Sequence, residues 1–169
     1  MRGGAGGTLG SVTKALLRLV PLPVCKISLR VPVAGLPAGM RTVTAVIRGR
    51  WVPTAGECME REVILAAEEF LGRKFPDKSS DAYLLLTFDG ASKEEIDLAS
   101  HEAAHTCLAA GAIDVFLSNT AERNESIWSA RGAFLEAIKA STTEMDECDV
   151  VVPRRDVAEF VLFSHSLPE

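Results

Sequence analysis

The sequence predicts an α+β fold: a ferredoxin-like βαββαβ antiparallel sheet with helices on one face, plus an additional helix-strand-helix. Three observations carry that reading. AYLLLTF at 82–88 is the strongest strand pattern in the chain, and it ends at a DG turn. Ser92 followed three residues later by Glu95 is a capping-box signature that opens a helix. From Val24 onward the order of patterns is β-α-β-β-α-β.

Taken in order, residues 11–22 alternate as a strand does, and Pro21 and Pro23 stop it. VCKISLRVPV at 24–33 reads as a strand and residues 36–49 as a short helix ending at Gly49. Residues 51–59 form a strand kinked at Pro53, residues 60–71 a helix, and RKFPDKSSD a polar loop. The strand at 82–88 leads into the capped helix, which runs to about Ala110 with Gly111 as its stop. A strand at 113–117 completes the split unit. A helix at 122–140, a strand at 148–152 and a helical tail from Arg155 extend it.

Composition sets the broad class. The 169 residues are 47% hydrophobic and 24% charged, ordinary for a soluble globular chain. A net charge of −5 with no Lys/Arg cluster argues against nucleic acid as a partner. The apolar stretch at 15–24 is interrupted by Arg18, Pro21 and Pro23 and is too short to span a bilayer. The four cysteines, Cys25, Cys58, Cys107 and Cys148, are widely spaced without a CxxC pair, so reduced thiols in the cytoplasm are expected.

Candidate chemistry is sparse. The opening GGAGGTLG is neither a Rossmann fingerprint, because no βαβ unit surrounds it, nor a Walker loop, because no GK[ST] follows. HEAAH at 101–105 raises a zinc hydrolase as an alternative, with His101 and His105 as ligands, Glu102 as base and Glu125 as a distant third ligand. The helical wheel opposes it: Ile96, Ala99, Ala103, Cys107 and Ala110 share one side, which turns both histidines to solvent. Arg131 is more informative. On a continuous helix it falls inside the arc of Ile127, Phe134, Leu135 and Ile138, where a guanidinium needs either water at its tip or an anion. That anion is an internal carboxylate such as Asp149 or the carboxylate of a ligand. Trp51 and Trp128 read as core or domain-interface residues, the acidic cluster Asp146, Glu147 and Asp149 as solvated, and Ser79 to Asp81 as a turn.

Five segments, in the same order and spacing, resemble the FAD-linked 2-hydroxyacid dehydrogenases, a family that includes the glycolate oxidase flavoprotein subunit and D-lactate dehydrogenases. GAGGTLGSVTKALLRLVPLP is similar to the family's GSEGTLG loop and the strand after it. WVPTAGECME is similar to its P-x-x-x-E-x-M-D stretch, and AYLLLTFDG to a strand ending in a glycine turn. ERNESIWSARGAF matches a segment in which an arginine follows a tryptophan, and ECDVVVPRR a strand with aspartate and a following proline. The resemblance covers nearly the whole chain.

It implies that residues 1–23 are the C-terminal remnant of an FAD-binding domain and residues 24–169 part of the substrate (cap) domain. Gly7, Thr8, Leu9 and Gly10 would approach the FAD through their backbone, and Arg131 would bind the carboxylate of a small 2-hydroxy acid of the glycolate or D-lactate type, oxidised to the 2-oxo acid. An electron acceptor or partner subunit would take the electrons. Ala5 and Gly6 depart from the serine and glutamate of the family's loop. The family's H-x-G-D-G-N-x-H segment has no counterpart here, so the reading expects a piece of a longer enzyme, inactive by itself, with no catalytic residue of its own and FAD not retained. Self-association through an exposed apolar patch is expected as well. A non-catalytic ferredoxin-like interaction domain is the other alternative.

Overall fold

The computed structural model describes residues 8, 10–72, 74, 79–145, 147 and 150–167. Among the described residues ten elements follow one another: β1 (Cys25–Val33), α1 (Leu36–Arg48), β2 (Ala55–Glu60), α2 (Arg61–Leu71), β3 (Ala82–Gly90), α3 (Lys93–Ala109), β4 (Phe116–Ser118), α4 (Ala121–Gly132), α5 (Phe134–Ser141) and α6 (Val157–His165). The strands form one antiparallel sheet in the order β2-β3-β1-β4. With β1 and β3 central and the α1 and α3 crossovers between strands, this is the βαββαβ arrangement expected from the pattern.

Local chemistry explains the boundaries. Pro37 stands in the first turn of α1, where its missing N–H costs nothing, and Gly49 closes the helix. Gly72 ends α2 in the left-handed conformation at φ 62°, which a glycine adopts without a Cβ penalty. Ser92 Oγ accepts a hydrogen bond from Glu95 N at 3.2 Å, so the cap read from the sequence is formed. The kink expected inside the second strand becomes its boundary: Pro53 cannot donate to a ladder, and pairing begins at Ala55.

Both faces of the sheet are covered. Ile27, Leu29, Val31 and Val33 of β1 and Leu84, Leu86 and Phe88 of β3 pack beneath α1 and α3. Tyr83 and Leu85 point the other way and meet Met59, Ile64, Trp128 and Phe134. The expected layer is therefore present on one face, and α2, α4 and α5 add a second on the other. The lack of alternation in AYLLLTF is the signature of a strand buried on both sides.

Four expectations are corrected. Residues 11–22 form no strand, and Val12, Leu16, Leu17, Leu19, Val20 and Leu22 are exposed, because no neighbouring strand pairs with them. The strand expected at 113–117 is reduced to Phe116–Ser118. The helix expected at 122–140 is broken at Ala133, just after Gly132, a poor helix former. Val150 to Val152 form no strand, and Cys148 and Asp149 lie outside the described residues.

Candidate functional site

The sheet face under α4 and α5 carries the polar side chains. Period-two alternation puts Lys26, Ser28 and Arg30 of β1 on this face, with Thr87 of β3 and Ser118 of β4 beside them. Ser28 Oγ and Thr87 Oγ1 share a hydrogen bond of 3.1 Å, and Arg30 lies over the Phe116 ring at 4.7 Å. Two cavities open along α4 on this side.

The first, about 610 Å³, is built from β2, the α4–α5 junction and α6. Its walls are largely apolar, with Val63, Phe134, Leu135, Ile138 and Met145 among them, and its cation is Arg131. Arg131 Nη2 lies 3.1 Å from Glu57 Oε1, with side chains 48% and 34% exposed. Because α4 stops at Gly132, Arg131 does not sit in one apolar stripe running on through Ile138. It reaches the cavity from the last turn of α4, half exposed and paired to an internal carboxylate. That partner is Glu57 on β2. Asp149, the internal partner considered from the sequence, lies outside the described residues. Glu60 also lines this cavity and approaches His165 Nε2 at 3.5 Å. Cys58 stands on β2 between the two glutamates. Burial, and secondarily the charge of Glu60, push its thiol up to about 11, so it is a neutral packing group near neutral pH.

The second cavity, about 620 Å³, lies between the start of β1, the first turns of α3 and the N-terminal half of α4. Lys26, Lys93, Asp97 and Glu125 bring two positive and two negative charges to its lining. Asn124 and Trp128 enter from α4, and the Lys26 ammonium sits 5.5 Å from the Trp128 ring centroid.

Of the other residues singled out from the sequence, Thr8 and Gly10 are exposed, while Gly7 and Leu9 lie outside the described residues. His101 and His105 are exposed on α3, and Glu102 is engaged elsewhere, accepting from Trp51 Nε1 at 2.6 Å. Among the described residues no group of three or more His, Cys, Asp or Glu converges as a metal site. The carboxylate of HEAAH is a packing partner of Trp51, and the zinc alternative is not supported. Glu57, Lys26 and Asn124 received no role from the sequence. Glu57 is the first of the two glutamates of WVPTAGECME, Lys26 is one of two charges, with Arg30, in β1, and Asn124 lies one helical turn before Trp128. Among the described residues no helix is long and apolar enough to cross a membrane, and Cys25, Cys58 and Cys107 are free thiols.

Comparison with known proteins agrees with these motifs. Residues 23–165 match the family described as FAD linked oxidases, C-terminal domain. The chain is 41% identical over 169 residues to a D-lactate dehydrogenase of Anaerostipes hadrus, covering 97% of this chain and 36% of that protein. It is 30% identical over 166 residues to a D-lactate dehydrogenase of Archaeoglobus fulgidus, covering 98% and 35%. It is 31% identical over 160 residues to the glycolate oxidase subunit GlcD of Bacillus subtilis, covering 94% and 33%. The chain spans roughly a third of the length of these curated relatives. All three are named as enzymes or enzyme subunits, so the non-catalytic interaction domain is not supported.

Proposed function

Since the chain belongs to the FAD-linked oxidases through their C-terminal domain, we propose that it serves in the oxidation of a small 2-hydroxy acid, of the glycolate or D-lactate type, to the 2-oxo acid. Residues 24–169 supply the substrate side of the active site, and residues 1–23 the end of an FAD-binding domain, with Gly7, Thr8, Leu9 and Gly10 approaching the cofactor. FAD, when bound, supplies the two-electron acceptor. An acceptor or partner subunit then receives the electrons. Thr8 and Gly10 are exposed and residues 10–23 pair with no strand. The purified chain is expected to carry no flavin bands in its absorbance spectrum.

The observation that carries the reading is the Arg131–Glu57 pair facing an apolar-walled cavity. A guanidinium offers a planar fork of donors suited to a carboxylate. Glu57 holds that fork in place without neutralising it irrevocably, because a partly exposed ion pair is worth only about 0–1 kcal/mol. A ligand carboxylate can take Glu57's position at little cost. Arg131 then fixes one end of the hydroxy acid while Phe134, Leu135 and Ile138 exclude water from the other.

The test is a calorimetric titration of the chain with glycolate and D-lactate. Arg131→Ala is expected to weaken binding at least about tenfold, the loss of one charge-assisted contact. Equal affinity in the variant and the parent would overturn the role of Arg131.

A further inference from the structure

With Arg131 as the carboxylate site proposed above, the rest of the 610 Å³ cavity decides which acid it takes. Val63 of α2, Leu135 and Ile138 of α5, Met145 and Val161 of α6 all line it. None of the five is buried, so the fold leaves part of each apolar side chain for something else to cover. Glycolate, with no side chain, covers none of it. A cavity between about 300 and 1,000 Å³ is the size that takes a much larger molecule than lactate, and a ligand that stops short of the walls forgoes their dispersion contacts.

Charge narrows the ligand further. Among the described residues of the lining, Arg131 is the one cation, while Glu57, Glu60 and Glu147 are acidic. Glu57 is the partner of Arg131, and Glu60 lies 3.5 Å from His165 Nε2. A first carboxylate on the ligand has the guanidinium to meet. A second, at the far end of the molecule, finds like charges and apolar walls, and both oppose it.

We propose that the acid held at Arg131 is a 2-hydroxy monocarboxylate with an extended apolar side chain, branched or aromatic, in place of the methyl group of lactate. The side chain runs from Arg131 along Leu135 and Ile138 towards Val63, and 2-hydroxy diacids are rejected. The inference rests on the reading of Arg131 given above. It concerns the side chain alone and leaves the hydroxyl and carboxylate of that reading unchanged.

The test is a calorimetric series on the purified chain with D-lactate, D-2-hydroxypentanoate, D-2-hydroxy-4-methylpentanoate and D-2-hydroxyglutarate. Each methylene buried is worth about fourfold in affinity, so the branched acid is expected to bind at least about tenfold more tightly than D-lactate. Hydroxyglutarate matches hydroxypentanoate in chain length but ends in a second carboxylate, and is expected to bind at least about tenfold more weakly than it. Val63→Asp puts a charge into the apolar wall at a half-buried position and should bring the affinity ratio of branched acid to D-lactate close to one. The ratio is read within one variant, so a general loss of binding does not imitate the effect. Equal affinity of the parent for D-lactate and the branched acid overturns the proposal, as does hydroxyglutarate binding as tightly as hydroxypentanoate, or an unchanged ratio in Val63→Asp. Equal affinities across the series, still weakened by Arg131→Ala, sink the side-chain inference alone. A size preference kept at full affinity in Arg131→Ala, or no binding by any of the acids, sinks the role of Arg131 and this inference with it.

Discussion

Arg131 on the last turn of α4 and Glu57 on the edge strand β2 form an ion pair of 3.1 Å, tying the helical layer to the sheet across the mouth of the 610 Å³ cavity. The pair gives the cavity its cation and, in the same contact, a built-in competitor for any incoming carboxylate.

Removing that competitor should help a ligand. Glu57→Gln keeps shape and a hydrogen-bonding oxygen but no charge, and is expected to bind glycolate several-fold more tightly by calorimetry, within the factor of about five that a partly exposed pair allows. Arg131→Ala should move affinity the opposite way. A purely structural pair would give two variants with lower melting temperatures and no such opposition.

The buried thiols predict an alkaline limit. Burial pushes Cys107 up to about 11, and burial together with Glu60 does the same for Cys58, against 9.0 for the free thiol. Both folded values are raised. The stability they contribute is complete below pH 9 and is lost as pH climbs towards 11, because the unfolded chain ionises first. Melting temperature should fall over that window, and less steeply in Cys107→Ala.

The cap of α3 can be tested alone. Ser92→Ala removes the acceptor for Glu95 N and should cost about 1 kcal/mol in urea unfolding, while Ser92→Asp should restore most of it. Unchanged stability in the alanine variant would show that tertiary packing alone holds this end of the helix.

Tyr83 is 1% exposed, and its Oη accepts from Ser80 N at 3.1 Å. Tyr83→Phe keeps the ring in the second core and leaves that buried N–H unsatisfied. A loss of about 1–3 kcal/mol is expected by urea denaturation with an unchanged m value.

Where an element carries its own boundary chemistry, the sequence was enough to find it. Ser92 and Gly111 bracket α3, Gly49 and Gly72 end α1 and α2, and the apolar runs of β1 and β3 mark the central strands. Features that depend on distant partners were not legible. Residues 11–22 alternate as a strand does, yet a strand exists only where another pairs with it. The break at Ala133 shifted the helical phase on which the burial of Arg131 had been argued. Its carboxylate partner comes from a strand far back along the chain. HEAAH has the spacing of a zinc pair, but Ala103 and Cys107 take the buried side of α3 and leave the histidines outside.

Trp128 and Arg131 ride on α4 within a single turn of each other. A rod of that length moves as one piece, so a tilt that tightens one cavity must be felt at the other. A ligand at Arg131 that tilts α4 would therefore reshape the second cavity, and any molecule bound there would return the same coupling factor to the first.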